Sequence, residues 1–126
     1  YGQANAPRFP YPLRVKHDNV LIEFPIGTAR VWGVNVPIGG GGYFRLFPEA
    51  WIRRGIQWVN VREQQAVMFY FHPWELDPEQ PRQAGVGVRT RFRHYVNLSR
   101  MRSRVGALLQ DFRWDRMDRI FLAGSA

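Results

Sequence analysis

The run Ala66-Val67-Met68-Phe69-Tyr70-Phe71 is apolar without a break, and His72 and Pro73 follow it directly. An uninterrupted apolar run of this length reads as a strand buried on both faces, as in a parallel sheet covered by helices. Pro73 has no N–H to offer a ladder and stops the strand. His72 is therefore expected at the strand's C-terminal end. In open α/β sheets and in β/α barrels, ligands bind at that end.

The rest of the chain is organised around this run. Pro7, Pro10 and Pro12 disfavour helix, so residues 1–14 are expected to be extended and irregular, pinned by Phe9 and Tyr11. Val20-Leu21-Ile22-Glu23-Phe24 reads as a short strand ended by Pro25, and residues 28–36 as a second one ended by Pro37. Four glycines, Gly39 to Gly42, oppose both helix and central strand, and predict a loop that another group can approach closely. Residues 49–60 carry helical spacing, with Ala50, Trp51, Gly55, Trp58 and Val59 on one face and Arg53 and Arg54 on the other. Pro48 suits the first turn of that helix. Residues 76–82 form a polar loop with two prolines. Residues 98–112 give the clearest helix, with Leu98, Met101, Val105, Leu108, Leu109 and Phe112 as its apolar stripe and Asn97 as its N-cap. Arg100, Arg102 and Arg104 fall mostly off that stripe. The order argues an α/β fold. Residues 1–81 hold the strands and loops, and residues 82–126 a basic helical appendage.

Length and composition narrow the class. With 126 residues, 45% of them hydrophobic and 15% aromatic, the chain can bury a core and is no disordered tail. No apolar run approaches the roughly 20 residues that span a membrane. The first residues lack a signal-peptide pattern and an initiator Met, which suggests a piece of a longer protein. The absence of cysteine excludes disulfides, Cys-ligated zinc and thiol catalysis, and leaves the compartment open, cytoplasmic or peripheral to a membrane. Net charge is +8, of which residues 82–126 carry +7, and 17 of the 18 basic residues are Arg. Such a region is either a solvated helix face with ion pairs to a partner domain, or a patch that attracts an acidic glycan or an anionic membrane. The aromatic-basic signature of RNA-binding sheets is missing, so nucleic acid is not the expected partner.

Candidate chemistry centres on His72. Of the three histidines, His17 lies beside Asp18 in a polar loop and His94 in the basic aromatic segment Arg91-Phe92-Arg93-His94-Tyr95, where packing or hydrogen bonding is its expected role. His72, with Trp74 and Glu75 just beyond, is placed for acid–base work, and imidazole titrates near neutral pH. The alternative is a histidine satisfied by backbone at a strand end. No metal site is expected in this chain: there is no His-x-x-x-His or Asp-Asp pair to supply three ligands. Ser99, Ser103 and Ser125 lack a nucleophile elbow. The glycines lead into Tyr43-Phe44-Arg45 rather than Gly-Lys-Ser, which excludes a phosphate loop. Either Tyr43 and Arg45 line a sugar groove beside the glycines, or the glycines make a tight turn under the helix at 49–60.

Several strings in this order carry a family resemblance. They are Ala6-Pro7-Arg8-Phe9-Pro10-Tyr11, Glu23-Phe24-Pro25-Ile26 and Gly40-Gly41-Gly42-Tyr43-Phe44-Arg45-Leu46. Then follow Phe69-Tyr70-Phe71-His72-Pro73-Trp74-Glu75-Leu76-Asp77-Pro78, Gln80-Pro81-Arg82 and Arg91-Phe92-Arg93-His94-Tyr95-Val96-Asn97-Leu98. Together they resemble the C-terminal domain of NodB-like polysaccharide deacetylases, of carbohydrate esterase 4 type, from bacterial exopolysaccharide and exosortase systems. The resemblance implies the C-terminal portion of a distorted (β/α) barrel that removes N-acetyl groups from amino sugars of a polymer. It implies a divalent metal, zinc first, held by an Asp and two His upstream of this chain, with the remainder of the barrel as partner and an N-acetylated polysaccharide as substrate. It makes His72 the general acid that protonates the departing amine. Tyr43, Arg45, Tyr70, Trp74 and Glu75 are the candidate substrate-binding residues. Tyr70 stands where the broader Leu-x-His motif has the Leu of the acetyl pocket. A rival expectation is a non-catalytic basic module that binds an acidic glycan or a membrane surface.

Overall fold

Among the described residues each strand is only four residues long, and the strands pair in two separate antiparallel hairpins. The computed structural model describes residues 6–14 and 20–122. His17 therefore lies outside the described residues. Strand β1 (Tyr11–Arg14) pairs with β2 (Val20–Glu23), in register from Tyr11 opposite Glu23 to Arg14 opposite Val20. Strand β3 (Thr28–Val31) pairs with β4 (Val34–Pro37). The single strand expected over 28–36 is thus a hairpin. Trp32 and Gly33 sit at φ 47° and 80°, and two consecutive residues at positive φ reverse the chain. Tyr11–Arg14 is a strand rather than irregular coil, because each strand of a two-stranded ribbon keeps one free edge where a proline is tolerated. Among the described residues the strands form no barrel, and the architecture is a small mixed α/β one.

Among the described residues five helices follow: α1 (Gly41–Leu46), α2 (Glu49–Arg62), α3 (Val88–Tyr95), α4 (Leu98–Asp111) and α5 (Met117–Phe121), with a 3₁₀ turn over Pro73–Leu76 between α2 and α3. The glycine loop ends sooner than its sequence predicts, since Gly41 and Gly42 form the first turn of α1. Close approach explains why glycine is kept there. A Cβ on Gly39 would run into the Met68 carbonyl and the Gly27 backbone, and one on Gly41 into the Glu75 carboxylate.

Helix α2 lies where its periodicity places it, but the face it turns to the core is rotated from the expected one, keeping Gly55 and Val59 and leaving out the tryptophans. Ile52, Ile56 and Val59 are buried, whereas Trp51 and Trp58 stay 47% and 53% exposed. Gly55 does face inward, against β3 and the end of β4. A Cβ there would meet Ile38 Cγ2 at 2.8 Å and Ala29 at 3.6 Å. Helix α4 buries Leu98, Met101, Val105 and Leu108, while Leu109 points outward. Asn97 occupies the N-cap position at φ 52° without capping the helix, because its Nδ2 donates instead to the Arg45 carbonyl at 2.7 Å. One core joins both halves of the chain: Ala29, Ile38, Phe44, Ile52, Ile56 and Val59 pack with Met101, Val105 and Leu108. Each large side chain among them contributes about 1.5–3 kcal/mol by burial.

The apolar run at 66–71 is extended but is not a sheet strand buried on both faces. It lies against the glycine segment: Gly27 N–H donates to Met68 O at 2.9 Å, Tyr70 N–H to Gly39 O at 2.8 Å and Gly41 N–H to Tyr70 O at 2.9 Å. The resulting bridge between Gly40 and Tyr70 is parallel. Val67 and Phe69 pack on the core, one residue apart in the pleat, whereas Tyr70 and Phe71 are exposed. Sidedness explains Tyr70, since only alternate residues of an extended segment can meet a core on one side, whereas Phe71 shares the side of Phe69, whose ring it meets at 6.4 Å, and lies at the edge of the core.

Candidate functional site

The site is assembled around one buried ion pair. Pro73 opens the 3₁₀ turn, and within that turn Glu75 reaches back over His72. Glu75 Oε2 accepts the His72 backbone N–H at 2.8 Å, and the Glu75 N–H donates to His72 O at 2.9 Å. The other carboxylate oxygen accepts Arg45 Nε at 3.0 Å. Arg45 Nη1 then donates to the carbonyls of His94 at 2.8 Å and Val96 at 3.0 Å. Arg45 is 2% and Glu75 1% exposed. Burial of a lone charge is strongly unfavourable, so each of these groups needs the other. The pair ties α1, the 3₁₀ turn and the end of α3 together, and it fixes the backbone that carries His72.

Above this pair opens a groove of about 850 Å³. Tyr43, Tyr70, His72 and Trp74 form one part of its lining, and Arg89, Thr90, Arg93 and His94 of α3 another. Trp74 stands between two imidazoles. The His94 ring stacks on it at 4.3 Å and 8°, and the His72 ring at 5.9 Å and 11°. Tyr70 meets His72 edge-on at 5.6 Å. Arg45 Cζ also lies over the Trp74 ring, at 5.2 Å. The Gln80 side-chain oxygen accepts from His94 Nε2 at 3.0 Å, and Gln80 Nε2 donates to the Trp74 and Asp77 carbonyls, both at 2.9 Å. These contacts hold α3 against the turn.

The groove brings together all six residues that sequence and resemblance single out. They occupy two layers. His72, Tyr43 and Tyr70 are exposed to the groove and Trp74 is half-buried, whereas Arg45 and Glu75 lie beneath, engaged with each other. His94 packs and hydrogen-bonds, as its segment suggests. Arg89 and Arg93 went unnoticed as groove residues, although their i, i+4 spacing puts them on one face once 88–95 is known to be a helix. Arg104 is not a solvated arginine. It lies over the Phe44 ring at 4.6 Å and donates to Phe47 O at 2.8 Å, satisfying a carbonyl at the end of α1. Burial lowers its pKa, Glu49 raises it in part and Arg100 lowers it further.

The donor set does not suit a metal. Among the described residues no three His, Cys, Asp or Glu side chains cluster as a metal ion would need. The Glu75 carboxylate in the groove is already engaged by Arg45 and by the His72 N–H. No helix among the described residues is long and apolar enough to cross a membrane.

Comparison with known proteins gives one match. Neither the curated proteins nor the solved structures yield a match to this chain. A family model described as a domain of unknown function, DUF3473, matches residues 1–122, nearly the whole chain. The chain belongs to the DUF3473 family.

Proposed function

We propose that this chain is the C-terminal part of a polysaccharide deacetylase, in which it completes a (β/α) barrel and supplies His72 as general acid. The observation that carries this reading is the position of His72. It is exposed at the end of an extended segment, on the wall of the groove of about 850 Å³, with its backbone held on both sides by Glu75. The order of motifs described above supports the same reading.

The role of His72 is a single proton transfer. As the C–N bond of the attacked acetamide breaks, the imidazolium gives its proton to the sugar nitrogen. The products are a free amine on the polymer and acetate, and the imidazole is left neutral. Tyr43 and Tyr70 are partly exposed aromatic side chains that a sugar could pack against. Among the described residues no metal site forms, and the reading assigns the metal to the Asp and two His that the resemblance places upstream.

The test uses the full-length parent and the isolated chain, each given zinc and an N-acetylated oligosaccharide. The isolated chain is expected to be inactive. In the parent, His72→Ala is expected to lower kcat by about 10²–10⁴-fold, the range for a lost acid–base group. An unchanged rate removes His72 from the mechanism.

A further inference from the structure

We infer that the groove takes a carboxylate-bearing polysaccharide, a polyuronate-type chain, with Arg89 holding a sugar carboxylate beside the exposed tyrosines. The inference rests on the deacetylase reading for the reaction that follows binding, and it names the substrate class of the same groove.

Charge is the first argument. Arg45, Arg89 and Arg93 line the groove, and Glu75 is the one carboxylate in its lining. Arg45 neutralises Glu75 in the buried layer. Among the described lining residues no other carboxylate stands against Arg89, and a cleft lined by charge of one sign concentrates ligands of the other.

The position of Arg89 is the second. It lies in the first turn of α3, a helix with no acidic residue in that turn and no side-chain cap. The positive end of the helix dipole and the unbonded N–H groups sit there, and a cation in that place works against the helix. No carboxylate among the described residues pairs with Arg89. A bound anion would answer both the guanidinium and the helix end. A guanidinium presents the planar fork that a carboxylate matches.

The shape of the lining is the third. Tyr43 and Tyr70 are 39% and 42% exposed, and Thr90 adds a hydroxyl. Aromatic side chains beside a cation suit a sugar ring that carries a carboxylate, more than a small free anion. The wall is also held in place, since His94 of the same helix is stacked on Trp74 and bonded to Gln80.

The test measures binding to this chain of an oligogalacturonate and of an uncharged chitooligosaccharide of matched length, by titration calorimetry. The oligogalacturonate is expected to bind more tightly, with an affinity that falls as sodium chloride is raised. Arg89→Glu and Arg89→Gln, each checked for an intact fold by circular dichroism, are expected to weaken it, the charge reversal by about tenfold or more. Arg91→Glu makes the same change of net charge on the same helix away from the groove lining and is expected to cost clearly less. Equal affinity for the two oligosaccharides overturns the inference. So does an Arg91→Glu loss as large as that of Arg89→Glu, or a folded Arg89 variant with unchanged affinity. Arg89-dependent binding by a chain whose parent lacks deacetylase activity upholds the ligand class and fails only the reaction. Deacetylation of the neutral oligomer without any Arg89 dependence does the reverse.

Discussion

Arg45 and Arg89 both line the groove, yet they live under opposite rules. Arg45 is 2% exposed, and its guanidinium is divided between Glu75 and two backbone carbonyls. Arg89 is exposed at the start of α3 with no carboxylate partner among the described residues. The buried layer, Arg45 with Glu75 and Gly41, has every group committed to its neighbours. The outer layer of Tyr43, Tyr70, His72 and Arg89 has groups to spare. The difference separates what builds the groove from what the groove can offer a ligand. It also means that substitutions in the two layers should differ in size and even in sign.

The largest effect is expected at Glu75. Glu75→Ala leaves Arg45 charged and buried without its partner, which costs about 3–5 kcal/mol, a large part of a small domain's stability. Glu75→Gln keeps an acceptor for the His72 N–H and should cost less. Urea unfolding of the two variants measures both. If Glu75→Ala unfolds at the wild-type midpoint, the pair does not hold the groove together and the distinction between layers fails.

Gly41 tests the same layer by overfilling it. A Cβ there meets the Glu75 carboxylate, whose Cδ lies at 2.8 Å and Oε1 at 2.9 Å. A free glutamate would swing aside, but this one is pinned by Arg45 and by the His72 N–H. Gly41→Ala is therefore expected to cost about 1–3 kcal/mol, as overpacking does. The cost should largely vanish when Glu75 is also alanine, giving a coupling of about 0.5–3 kcal/mol in a double-mutant cycle. Strict additivity would show that the glycine serves the helix start alone.

The sequence makes some of this arrangement legible and hides the rest for physical reasons. Helix α4 could be read almost to its ends because its apolar spacing and its burial coincide at Leu98, Met101, Val105 and Leu108. Helix α2 could be placed but not oriented. Its periodicity puts Trp51 and Trp58 on one broad face, but Trp is seldom fully buried, and the smaller Ile52 and Ile56 take the inside. The run at 66–71 could be read as extended, and its end at His72 as a site, but its pairing could not. That pairing depends on glycines at 27, 39 and 40, which only the folded chain brings beside it. The Arg45–Glu75 pair joins residues 30 apart through no periodic pattern, so nothing in the chain marks either side chain as buried. The groove residues of α3 were hidden because Val88-Arg89-Thr90-Arg91-Phe92-Arg93 carries too little apolar surface to announce a helix; tertiary contacts through His94 and Val96 anchor it.

The smallest effect sharpens the comparison most, because its sign is reversed. In the buried layer a substitution removes something the fold uses. Arg89 in the first turn of α3 is, for the fold alone, the wrong charge at the positive end of a helix dipole. Arg89→Glu is therefore expected to stabilise the chain by about 0.3–1 kcal/mol at low ionic strength. Thermal melting would show this gain, and it should shrink as salt screens the helix end. The same substitution that weakens binding of a carboxylate-bearing glycan would thus strengthen the fold. A residue with that pair of effects is kept at some expense to stability, which is the behaviour of a binding group. If Arg89→Glu instead melts lower than wild type at low salt, Arg89 belongs with Arg45 among the residues that hold the groove together.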